Sequence, residues 1–111
     1  PNGVRNLAVD RALAKGTVIL TWDAPRGSKL TGIEGYQVRY RYVLATAWIS
    51  ADTVDTEQAK VKDLIPGCRY DVKVRARNMV GVGPWKQTEV YVPAPSSRMR
   101  LPSGDLRCLV Q

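Results

Sequence analysis

The side chains able to do chemistry are few, and their spacing argues against catalysis. The 111-residue chain contains no histidine, which removes the usual general base near neutral pH and the commonest metal ligand. Ser28, Ser50 and the serines of the last segment stand in turn-like or linker-like sequence with no imidazole to activate them. Asp52, Asp55 and Glu57 fall close together, yet without the dense, regular spacing of a calcium loop, and read as a solvated charged loop. Gly81-Val82-Gly83 is too short to cradle phosphate and opens no helix, so a tight turn between the last two strands is the better reading. Two cysteines, Cys68 and Cys108, are too few for a thiolate zinc site. The chain reads as a non-enzyme without catalytic, cofactor-binding or metal-ligating residues.

Positive charge is what the chain does offer. Its formal net charge is +7. Arg39 and Arg41 alternate with apolar residues in one segment, and Lys73, Arg75 and Arg77 do so in another. Trp85 opens the next segment just across a turn from Arg77. If these segments are neighbouring strands, the five cations share one outer face, and the Trp85 ring is expected over the Arg77 or Arg75 guanidinium. Such a face suits a sulfated glycan or an acidic protein. The simpler reading is a solvated face braced by stacking, with Asp71 and Glu89 neutralising part of it. Nucleic acid is not an expected partner. Arg98, Arg100 and Arg107, against Asp105, place part of the excess charge outside the expected fold, and the remainder serves solubility.

The elements that must position these residues repeat with a period of two. Val18, Leu20 and Trp22 alternate with Thr17, Ile19 and Thr21; Tyr36, Val38 and Tyr40 alternate with Gln37, Arg39 and Arg41. Tyr70, Val72, Val74 and Ala76 alternate with Asp71, Lys73, Arg75 and Arg77. Each run reads as a half-buried antiparallel strand. Weaker strands are expected over residues 4–10, 47–50, 58–62 and 85–92, with turn chemistry at Arg26-Gly27-Ser28 and Pro66-Gly67. Seven short strands and no helical stripe predict an all-β, seven-stranded antiparallel β-sandwich of immunoglobulin-like type. A composition 44% hydrophobic and 24% charged suits one soluble domain large enough to bury a core unaided. No apolar run reaches the length of a membrane-spanning helix, so direct membrane insertion is not expected. The period stops at Pro93, and residues 95–111 read as a linker or disordered tail.

Residues 1–94 resemble the fibronectin type III domain. The resemblance rests on Leu7, on Trp22 within Leu20-Thr21-Trp22-Asp23-Ala24-Pro25, on Gly35-Tyr36, and on the run from Leu64-Ile65-Pro66-Gly67 through Tyr70 to Ala76. Asn78 and Gly81-Val82-Gly83-Pro84-Trp85 complete it. It implies structural roles for Trp22, Tyr36, Leu64 and Tyr70, the last as a tyrosine corner whose hydroxyl pins the backbone at 64–67. Antibody-type domains carry a cysteine pair where Leu20 and Val72 stand here. Residues 78–84 lack the Arg-Gly-Asp triplet by which some family members engage integrins. Related receptor domains display a Trp and Arg ladder built on a Trp-Ser repeat, but here Lys86 follows Trp85 and no second such Trp follows it.

The resemblance implies a noncatalytic protein-interaction or spacer module of a larger modular cell-surface receptor or adhesion protein. On that reading the setting is extracellular and the isolated domain is monomeric. The alternatives are an intracellular, muscle-type scaffold domain and an accessory domain of a secreted carbohydrate-active enzyme. In the expected sandwich, Cys68 and the exit of the last strand share a pole, within reach of Cys108. The simpler expectation leaves Cys68 as a small, partly buried apolar side chain and Cys108 free.

Overall fold

A computed structural model of the chain describes residues 1–13, 15–27 and 32–94. The proposed tail at 95–111, with Cys108, and the turn residue Ser28 lie outside the described residues. Among these residues there are eight strands and no helix: β1 (Arg5–Leu13), β2 (Thr17–Asp23), β3 (Gly35–Tyr42), β4 (Ile49–Ser50), β5 (Gln58–Val61), β6 (Arg69–Asn78), β7 (Gly81–Val82) and β8 (Lys86–Tyr91). They form two antiparallel sheets. One runs β1-β2-β5; the other runs β4-β3-β6, with both β7 and β8 paired to β6.

Period-two alternation makes each central strand two-faced, and the dry faces meet. Val18, Leu20 and Trp22 of β2, Tyr36 and Val38 of β3, and Tyr70, Val72, Val74 and Ala76 of β6 are buried in one core with Ala59 and Val61 of β5. Trp22 packs edge-on against Tyr36, ring centroids 5.2 Å apart. Tyr70 takes the edges of Tyr40 and Tyr42 at 6.4 and 6.3 Å. These geometries suit ring quadrupoles and fill a core that has no phenylalanine.

The corner before β6 is tied at several points. The Tyr70 hydroxyl accepts the Ile65 backbone N–H at 2.9 Å. Gly67 N–H donates to the Val92 carbonyl at 2.6 Å, and Val92 N–H donates to the Cys68 carbonyl at 3.0 Å. The same corner meets the β1–β2 turn, where Gly16 has φ of 86° and its carbonyl accepts the Leu64 N–H at 2.9 Å. A Cβ on Gly16 would overlap the Leu64 carbonyl oxygen, so this contact requires glycine twice over.

Two segments differ from the sequence reading. β1 runs to Leu13 rather than stopping at residue 10, because register shifts between Arg5 and Ala8 and between Val9 and Arg11 move its inward side chains from Leu7 and Val9 to Ala12. A bulge breaks strict alternation, and alternation was the only signal available. Gly81-Val82 forms a strand in its own right. The Asn78 side-chain oxygen accepts the N–H groups of Val80 and Gly81 at 2.9 and 3.2 Å, folding Gly81–Val82 back onto Arg77 and Asn78.

Pro1, Asn2 and Gly3 pack beside Gly83, Pro84 and Lys86. β8 starts there and leads to Val92 at the Gly67–Cys68 corner. At about 3.3 Å per residue, the two ends of the sandwich lie some 20–25 Å apart at opposite poles.

Candidate functional site

β3 and β6 lie side by side in the centre of the larger sheet, and their register sets the outer face row by row. Arg41 faces Asp71, Arg39 faces Lys73, Gln37 faces Arg75 and Gly35 faces Arg77. On the far side of β6, Lys73 faces Gln87 and Asp71 faces Glu89. Directly opposed residues project to the same face, so the cations form a cluster two strands wide.

Two tryptophans flank the cluster, each placed one residue ahead of an edge strand. Because Ile49 pairs with Tyr40, Trp48 stands abreast of Arg41. Because Lys86 pairs with Val74, Trp85 stands abreast of Arg75. The Arg41 guanidinium lies 4.3 Å from the Trp48 ring centroid, and the Lys73 ammonium lies 4.0 Å from the same ring. Trp85 takes Lys73 at 4.6 Å, Arg75 at 4.2 Å and Arg39 at 5.1 Å. The result is a continuous ladder from Arg41 through Trp48, Lys73 and Trp85 to Arg75. Both indoles are half-buried, which strengthens such contacts relative to fully exposed ones.

The charges are unequally compensated. Arg41 pairs with the buried Asp71 at 3.3 Å and Arg77 with Glu34 at 3.1 Å. Glu89 is taken by Arg69 at 3.1 Å. Arg75 donates to the side-chain oxygen of Gln37 at 2.7 Å, a neutral acceptor. Among the described residues no carboxylate pairs with Arg39, Lys73 or Arg75. Burial holds the Lys73 ammonium below its ordinary pKa, and the guanidiniums of Arg39, Arg41 and Arg75 push it the same way. Burial, then Arg39, lower Arg75 likewise.

The structure thus brings together Arg39, Arg41, Lys73, Arg75 and Trp85, and turns Arg77 aside. Trp85 stacks on Arg75 and not on Arg77, because Glu34, one residue ahead of β3, captures the Arg77 guanidinium. Sequence reasoning missed Trp48 as the second indole. The pairing of β4 with β3 puts it on this face, and two-residue β4 carries too little alternation to reveal that. The structural residues Trp22, Tyr36, Leu64 and Tyr70 are all buried. The Tyr36 hydroxyl reaches Glu57 at 2.9 Å. Burial, the hydrogen bond and the carboxylate charge push the phenol up to about 12.

Elsewhere, an open depression of about 640 Å³ lies at the pole of Pro84 and Lys86. Three of its polar side chains are engaged by the fold itself: Arg5 on the Ala24 carbonyl, Asn6 on Asp23 and Asn2 on the Arg26 carbonyl. Cys68 is buried, but its sulfur is disulfide-bonded, contrary to the simpler expectation of a lone apolar thiol. The chain's other cysteine, Cys108, lies outside the described residues.

The comparisons with known proteins agree with this architecture. The chain is 39% identical over 79 residues to M-protein of striated muscle from Gallus gallus, covering 69% of this chain and 5% of that protein. It is 31% identical over 102 residues to the tyrosine-protein phosphatase Lar of Drosophila melanogaster, covering 90% of this chain and 5% of Lar. The solved kinase region of twitchin from C. elegans superposes with a TM-score of 0.77 at 20% identity, over 94% of this chain and 19% of that one. The chain therefore spans a small fraction of these relatives. Residues 2–90 match the family described as the Fibronectin type III domain, and with its two-sheet sandwich the chain belongs to that family.

Proposed function

We propose that this modular domain is a noncatalytic spacer and protein-interaction unit of a larger cell-surface receptor or adhesion protein. The observation that carries the modular role is the placement of its two ends at opposite poles, beside Pro84 and beside Cys68. A unit with that geometry can be strung end to end while its sheet faces stay free for contact. The disulfide at Cys68 supports the cell-surface setting, since such bonds persist in oxidising compartments and are rare in the cytosol. The outer face of β3 and β6 is the surface available to partners.

The relationship to M-protein of striated muscle favours a second reading as an intracellular, muscle-type scaffold domain. An antibody raised against the domain separates the two. Staining of intact, unpermeabilised cells is the expected result. Staining that needs permeabilisation and follows the sarcomere repeat would replace the cell-surface reading with the muscle one.

A further inference from the structure

Among the described residues, no carboxylate neutralises the Arg39–Lys73 pair. Two like charges directly opposite one another on adjacent strands are destabilising, and a third cation, Arg75, stands two residues along from Lys73. An acidic residue at position 39 or 73 would relieve the repulsion, as Asp71 does for Arg41 in the adjoining row. Instead, Trp48 and Trp85 hold the cations in place against their mutual field. Side chains that would otherwise spread into solvent are prepositioned as a charged cluster. That arrangement lowers the entropy lost when an anion binds.

The spacing and the chemistry of the face identify the anion. The Cβ atoms of directly opposed residues lie roughly 5 Å apart, and residues alternating along a strand leave it roughly 6.6 Å apart. Planar guanidinium forks match oxyanions with two or more free oxygens. β3 and β6 are paired on both sides, so their backbones have no free row of donors and acceptors to offer. An extended acidic peptide finds no strand edge here with which to pair its amides, whereas a sulfated sugar chain has no peptide groups to pair. We propose that Arg39, Lys73 and Arg75, braced by Trp48 and Trp85, form a binding site for a sulfated glycan. The biological setting rests on the cell-surface reading above; the binding itself does not, and is tested in solution.

The test uses the whole 111-residue chain and heparin oligosaccharides, with affinity followed against salt. Binding should persist at physiological ionic strength. The triple change R39Q/K73Q/R75Q should weaken it about a hundredfold, whereas R98Q/R100Q/R107Q, removing equal charge from the tail, should weaken it far less. The single change R39Q, whose side chain only stacks, should show an intermediate loss even if the triple variant folds poorly. Equal losses from face and tail variants would overturn the site in favour of diffuse charge attraction. Tighter binding of poly-L-glutamate than of heparin at matched charge would overturn the glycan in favour of an acidic protein. Retained heparin binding by a domain that antibodies find only inside cells would leave the site standing and remove the cell-surface reading.

Discussion

The Lys73 ammonium lies 4.0 Å from the ring centroid of Trp48, although the strand β3 runs between the two. A long, flexible stem crosses that strand so that one cation bridges both indoles of the outer face. Geometrically the contacts of the face are thereby joined into one network.

Coupling across the network is expected to be measurable. A double-mutant cycle of Trp85→Ala with Arg75→Ala, followed by urea unfolding, should give a coupling of about 0.5–1 kcal/mol. Trp85→Ala should cost more than Trp48→Ala, since Trp85 contacts three cations and Trp48 two. Strict additivity would show that the stacks are incidental.

One of the ties at the 64–67 corner is a single side-chain hydroxyl. Tyr70→Phe keeps the buried ring but removes the acceptor of the Ile65 N–H. An expected loss of about 1–3 kcal/mol follows from leaving that donor unsatisfied. Urea midpoints of the two proteins check it, and an unchanged midpoint would mean that the remaining backbone hydrogen bonds and packing hold the corner without it.

Alkaline stability should report on Tyr36. Burial and Glu57 raise its pKa from 10.0 to about 12, so the folded state keeps a proton that the unfolded chain gives up. The resulting stabilisation is complete below pH of about 10 and is lost as pH rises toward 12. Glu57→Gln should bring the phenol partway back, because burial remains the larger cause. Ultraviolet difference titration follows the phenol, and identical curves for the two proteins would exclude the Glu57 contribution.

The disulfide at Cys68 predicts that no free thiol titrates in non-reducing denaturant. Reduction should lower stability by about 2–4 kcal/mol. Two thiols per chain would contradict the bond and remove the main support for the cell-surface setting.

Much of this was legible from residue order because a sandwich strand announces itself. Alternation in β2, β3 and β6 marked Leu20, Trp22, Tyr36, Val38, Tyr70 and Val72 as inward, and all six are buried. The same parity put Arg39, Arg41, Lys73 and Arg75 outward. What parity cannot supply is register between strands distant in sequence. Whether Trp48 would stand abreast of Arg41, whether Glu34 would draw off Arg77, and whether Arg39 would face Lys73 were decided by how β4, β3 and β6 slid against one another. Nor could alternation foresee the bulged end of β1 or the Asn78 turn that creates β7. The physical reason is one of range. Period-two burial is set by each strand's own side chains, whereas the ladder is closed by contacts between distant residues, Trp48 with Lys73 and Arg39 with Trp85, which only the packed sheet brings together.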